Sequence, residues 1–203
     1  SGLAQNPEVS HYRLAAHLGL AFALFGLAWW MILDLRSGSE RTGGSRRLRF
    51  WTMALLGVFC LQLTYGAFIS GLKAGYGFHT FPKMGGEWVP DFLFLQDPFW
   101  KNFVEDSFTM QFIHRWLGTC LTLVTVGLGV FALRSGRLDR IQHRNAIWLL
   151  VLVVAQFGLG VSTLLFLPEV RNVLPVIHQL VALLLFAAFL SFIHSLGKSS
   201  LAQ

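Results

Sequence analysis

The sequence predicts an all-α integral membrane protein with five transmembrane helices. Of its 203 residues, 54% are hydrophobic and only 13% charged, against about 45–50% and 25% in ordinary soluble domains. Five mostly apolar runs are each long enough to cross the hydrocarbon core, which takes about 20 helical residues. Lys and Arg collect in the segments that join those runs on one side. With 16 basic and 10 acidic side chains, the chain could not cover the surface of a soluble globule. The net charge of +6 forms no stripe among polar neighbours, which excludes nucleic acid as a partner. Aromatics at 14% exclude disorder, and two cysteines exclude a disulfide framework.

The spans are expected at Tyr12–Leu33, Phe50–Leu72, Phe108–Leu133, Ile147–Leu167 and Val173–Leu196. Backbone groups in lipid must pair within their own segment, so each span is helical. Gly57, Gly66, Gly118, Gly127, Gly158 and Gly160 are read as places where helices approach closely. Cys60 and Cys120 lie mid-span and read as small buried hydrophobes rather than redox or metal ligands.

Orientation follows from the basic residues. Arg36, Arg41, Arg46, Arg47 and Arg49 join the first two spans. Arg134, Arg137, Arg140 and Arg144 follow the third, and Lys198 lies in the tail. That side is expected to be cytoplasmic. The opposite side holds a loop, 73–107, with Lys73, Lys83 and Lys101 against Glu87, Asp91, Asp97, Glu105 and Asp106. The start at Ser1 falls on the outer side with no signal peptide ahead of it. Upstream helices are therefore expected, a processed five-helix protein being the alternative.

Three of the seven histidines, His17, His114 and His178, enter their spans from the outer side at matched depth. An ionisable residue at membrane depth is costly and reads as functional. One turn below each, on the same face, stands a small residue: Ala21, Gly118 and Ala182. The second and fourth spans echo each other in Gln62-x-x-x-Gly66 and Gln156-x-x-x-Gly160, which suggests a duplicated helix pair with a site at the repeat interface. Zinc wants three or four ligands, often thiolate or carboxylate, and no ExxH or HxxxH motif is present on these helices. Two imidazoles from facing helices suit a b-type haem, so His114 and His178 are expected as axial iron ligands. Arg115 and Arg171, with Lys73 or Lys101, are placed to meet its propionates. His17 has no partner in this chain.

The outer loop, Phe78-His79-Thr80-Phe81-Pro82-Lys83-Met84-Gly85-Gly86-Glu87-Trp88 and onward, is too long for a plain connector. Its aromatics and prolines suit an ordered interfacial cap, with or without substrate contact. These residues, with Tyr12-Arg13-Leu14-Ala15-Ala16-His17, Gln111-Phe112-Ile113-His114-Arg115 and Ile177-His178-Gln179, resemble the haem A synthase family over residues 10–196. The resemblance implies a fragment of an eight-helix protein of two four-helix halves. Residues 1–35 would be the last helix of the N-terminal half and 36–49 a cytoplasmic linker. Residues 50–197 would form a four-helix haem b bundle with the external loop 73–107.

By that resemblance, His114 and His178 are the haem b ligands and His17 is a ligand of the substrate haem in the other half. The implied reaction oxidises the C8 methyl of haem O to a formyl group, by two hydroxylations and loss of water, giving haem A for cytochrome oxidase assembly. Haem b would deliver electrons. The catalytic acidic residue would lie upstream, with Glu105 at the corresponding place in this half. His79 stands where the family usually has an asparagine-like residue and reads as a solvated loop histidine. Implied partners are haem O and haem A, the bilayer, haem O synthase and oxidase assembly factors, with a homo-oligomer allowed. The implied location is the bacterial inner membrane, or the mitochondrial one in a eukaryote. A b-type electron-transfer subunit without haem-modifying activity, or a non-catalytic scaffold, stays open.

Overall fold

The computed structural model describes residues 10–37, 44–170 and 173–197. Five helices carry them: α1 (His11–Ser37), α2 (Arg46–Gly71), α3 (Ser107–Arg134), α4 (Arg140–Val170) and α5 (Val173–Ser195). Each is long and apolar enough to cross a membrane, and no strand occurs among the described residues. The chain is an all-α integral membrane protein. Arg41, Arg171 and Lys198 lie outside the described residues.

The helices outrun their apolar cores because polar residues cap them. Ser45 Oγ accepts from Leu48 N at 3.3 Å, so α2 begins at Arg46 and takes in the last positions of the expected 36–49 linker. The Asp106 carboxylate accepts from the Phe108 and Thr109 amides and starts α3. Asp139 Oδ1 accepts from Ile141 N and Gln142 N at 2.8 Å, while Gln142 Oε1 accepts from Asp139 N at 3.2 Å. This reciprocal cap starts α4 at Arg140, ahead of the expected Ile147.

Helices α2, α3, α4 and α5 pack in sequence around a common interior, and α1 lies against α2 and α5. The interior is filled chiefly from α5, where Leu185, Phe189 and Phe192 are almost wholly buried. Phe186 meets Phe22 of α1 edge-on at 5.4 Å and Phe59 of α2 at 6.3 Å. The last carbonyls of a helix have no partner within it. Here the α5 end is closed by its neighbours. Gln142 Nε2 donates to Ser195 O at 3.1 Å, Gly44 N to Leu196 O at 2.9 Å, and Arg49 Nη1 to Gly197 O at 3.1 Å. Helix α1 is fixed to the same end: Trp29 Nε1 donates to Ser191 Oγ at 3.0 Å, and His194 Nε2 lies 3.0 Å from Asp34 Oδ1.

Two expectations about the spans are corrected. Cys60 and Cys120 are exposed on the outside of the bundle, not buried in it. In a membrane protein an apolar run says nothing about which face is inside, because the lipid face is apolar too. Of the six span glycines, Gly66, Gly118 and Gly160 sit against other side chains, whereas Gly57, Gly127 and Gly158 have nothing within 4 Å.

Candidate functional site

The half of the bundle nearest the 73–107 loop holds a partly open cavity of about 380 Å³. His114 on α3 and His178 on α5 both line it, together with Gln62 and Gly66 of α2 and Gln156 and Gly160 of α4. The two helix pairs repeat one arrangement. Each histidine ring lies against a glycine of the preceding helix: a Cβ on Gly66 would sit 3.3 Å from His114 Cε1, and one on Gly160 would sit 3.1 Å from His178 Cε1. A real side chain at either glycine would press on the ring. The sequence echo Gln-x-x-x-Gly is thus a pair of ring cradles.

The loop closes one side of the cavity and is itself held from below. The Arg115 guanidinium donates to the Phe78 carbonyl at 2.9 Å, to the Lys83 carbonyl at 3.4 Å and to the Thr80 carbonyl. Gln111 Nε2 donates to the same Phe78 carbonyl at 3.2 Å. Phe81, between these anchors, lines the cavity and meets Phe157 of α4 edge-on at 5.8 Å. Beyond it, Met84 and Glu87 exchange backbone hydrogen bonds across Gly85 and Gly86, whose φ angles are +65° and +95°. Positive φ at both central positions is what a tight two-residue turn of this hand requires, and glycine supplies it.

Several polar atoms are buried without any partner: Nδ1 of His114 and of His178, Oε1 of Gln62, Gln111 and Gln156, and Nε of Arg115. All six belong to residues that line the cavity. Buried polar groups are nearly always satisfied, so such a cluster marks the place of a ligand. Among the described residues no group of three or more His, Cys, Asp or Glu side chains could hold a bare metal ion. Two imidazoles on separate helices, each with a glycine cradle, fit instead a planar group that brings its own equatorial ligands, and haem is such a group.

The remaining expected residues fall as follows. His17 is exposed but lines the rim of the same cavity, so it stands near the other two histidines rather than away from them. Gly118 and Ala182 lie on the cavity wall, while Ala21 lines a separate groove between α1 and α5. Arg115 is on the wall, with most of its donors given to the loop. Lys73 and Lys101 are not among the lining residues. Glu105 is exposed, its carboxylate beside the Tyr12 hydroxyl. His79 is only half exposed, and its Nε2 is buried without a partner, unlike a freely solvated loop histidine. Sequence reading passed over Phe81, Gln111 and Thr163 as lining residues. Only Gln111 carried a signal, one turn before His114 on the same face.

The sequence matches the COX15-CtaA family model, described as cytochrome oxidase assembly protein, over residues 1–190. The chain belongs to this family. Among similar proteins of the cytochrome oxidase assembly family, the Heme A synthase of Nitrosospira multiformis is 40% identical, covering 98% of this chain and 56% of that protein. The Heme A synthase of Parvibaculum lavamentivorans is 37% identical, over 98% of this chain and 55% of that protein. That of Agrobacterium fabrum is 40% identical, over 91% and 50%. The chain spans about half the length of these curated relatives. No solved structure matches it.

Proposed function

We propose that this chain is the haem b-binding, electron-delivering part of a haem A synthase, with His114 and His178 as the axial iron ligands. The observation that carries the reading is the repeated cradle. Two helix pairs each present one imidazole to one shared cavity, each ring seated on a glycine, Gly66 or Gly160. The relatives are named Heme A synthase, which supports haem A formation as the reaction class, and the family resemblance implies oxidation of the haem O C8 methyl to a formyl group. Relatives about twice as long suggest that this chain corresponds to one portion of such an enzyme. Bound haem b would supply reversible one-electron transfer. The residues of the chain orient and enclose it. The paired imidazoles present neutral nitrogens, the cavity wall excludes water with Phe59, Leu121, Val153 and Leu185, and Arg115 holds the loop over the opening. The Arg115 Nε–H, buried and unpartnered, is the donor free to meet a propionate. His17, at the rim, is the ligand proposed for the substrate haem. Haem O is the proposed substrate, haem O synthase and oxidase assembly factors the proposed partners, and the inner membrane the proposed location.

The test is a reduced-minus-oxidised spectrum of the purified full-length protein with each histidine replaced in turn. The intact protein should show a low-spin b-type spectrum from this half. His114→Ala and His178→Ala should each lose it while leaving any signal from the other half. A low-spin b-type signal that neither substitution diminishes overturns the ligand assignment. Co-expression with a haem O supply, followed by pigment extraction, then tests the reaction. Hydroxylated or formyl haem is the expected product, and its absence leaves a b-type electron-transfer protein.

A further inference from the structure

Helix α1 is held to its neighbours at both ends. Away from the loop, Trp29 and Asp34 bond Ser191 and His194 of α5 at 3.0 Å. Near the loop, His11 Nε2 donates to the Val104 carbonyl at 2.8 Å. The His11 backbone also passes α2 so closely that a Cβ on Gly71 would stand 2.7 Å from His11 Cα. Between these anchors α1 and α5 leave a groove of about 320 Å³. Leu18, Phe22 and Phe25 line one wall, Leu180 and Leu183 the other, and Ala21 is the smallest residue in it. From Leu18 to Phe25 it runs about 10 Å along α1. Phe22 and Phe25 both meet the Phe186 ring, at 5.4 and 6.4 Å, and so stop the groove at the end away from the loop.

None of the lining residues is ionisable, and one is polar. Gln179 belongs both to the groove and to the histidine cavity, as does Leu18, so the two spaces meet at this pair. The Gln179 side chain makes no hydrogen bond among the described residues. An amide at membrane depth without a partner is costly. A molecule that suits both features has a flexible apolar chain with a hydrogen-bonding group at its root. His17, beside Leu18 on the rim, is the ligand proposed for the substrate haem. Haem O fits the description. Unlike b-type haem it bears a farnesyl-derived chain, joined to the ring through a carbon that carries a hydroxyl group.

We infer that the groove between α1 and α5 is the subsite for the prenyl chain of haem O, with the Gln179 amide meeting the hydroxyl at the root of that chain. This rests on the haem A synthase reading above. Lipid is as apolar as the groove, so the chain gains no hydrophobic transfer energy by entering it. What it gains is a fixed direction. A flat ring has several similar edges, and a chain seated in the groove decides which of them is presented for oxidation. The groove is a specificity device, which distinguishes haem O from a b-type haem that lacks the chain.

The test is a competition on the purified full-length protein, equilibrated with haem O and b-type haem at equal concentration. Bound pigments are extracted, and the ratio of haem O to b-type haem reports the choice. A low-spin b-type spectrum checks that each variant is folded. Ala21→Phe puts a ring into the groove and should lower the ratio about 5-fold or more, the scale of an overpacked site. Gln179→Leu adds no bulk and removes the amide, and should lower it by about 2- to 10-fold, the worth of one net hydrogen bond. Gln179→Leu decides alone if Ala21→Phe fails to fold. An unchanged ratio in either folded variant overturns the inference, and the groove is then filled by a lipid acyl chain or by another helix. A parent protein that takes up no haem O sinks the haem A synthase reading and this inference with it, so the two failures are told apart.

Discussion

At Gly66 and Gly160 the absent side chain leaves room for a histidine ring. A methyl at either position would lie 3.3 or 3.1 Å from a ring carbon, tight enough that the ring must give by a few tenths of an ångström. Gly66→Ala and Gly160→Ala should therefore keep their haem with a shifted spectrum. Gly160→Val, whose branched side chain cannot turn away from the ring in a helix, should lose most of it. The haem-to-protein ratio of the purified variants checks this, and full loading of Gly160→Val would show that the ring is not held there. Arg115 supports a second prediction. Arg115→Leu removes three part-buried hydrogen bonds from a charged donor to the loop, leaving Thr80 O unpaired while Phe78 O keeps Gln111 and Lys83 O keeps the Thr80 hydroxyl, with a cost of about 2–4 kcal/mol. Limited proteolysis should then cut within 78–83, where the parent resists. That His114 and His178 share one cavity was legible in the sequence from their matched depth in spans entering from the same side.

The helices were legible as apolar runs, and their ends were not, because capping residues rather than hydropathy decide where a helix starts. Helix α4 shows the difference best. Residues 140–146 include Arg140, Gln142, His143, Arg144 and Asn145 and read as a polar connector, yet the reciprocal cap of Asp139 and Gln142 makes them helical. The same Gln142 donates to Ser195 O and so closes the end of α5. Asp139→Ala should cost about 1 kcal/mol, the usual worth of an N-cap. Faster amide exchange at 141–143 should report it, with the span itself unaffected. Gln142→Ala should reach further and speed exchange at the end of α5 as well, since it removes a partner from both helices. Equal effects of the two substitutions at α5 would mean that the inter-helix bond contributes nothing. The loop was legible in part. Its Gly85-Gly86 turn follows from local chemistry, while its anchoring on Arg115 is a tertiary contact that no spacing announces.

Across the whole molecule the two ends differ in kind. One end carries the loop, the cavity and His17, His114 and His178. The other carries Arg46, Arg47, Arg49, Arg134, Arg137, Arg140 and Arg144, on α2, α3, α4 and the turn between them. A span inserts with its basic flank held in the cytoplasm, and here several flanks agree. The agreement predicts that the loop and the cavity face the outer side, with the rings of His178 and His114 five to seven residues below the helix starts, or about 7–11 Å down. In a protein whose native Cys60 and Cys120 are replaced by alanine, Glu87→Cys at the loop turn should react with a membrane-impermeant maleimide on intact cells. His143→Cys, exposed near the start of α4, should react only after permeabilisation. The reverse pattern would put the cavity beside the cytoplasm and the arginines outside. It would then have to be explained why so many basic flanks crossed the membrane together. On the proposed haem b reading, a donor on the outer face would then reach the His114–His178 pair through less than half the bilayer, whereas one in the cytoplasm would have to span the larger part of it.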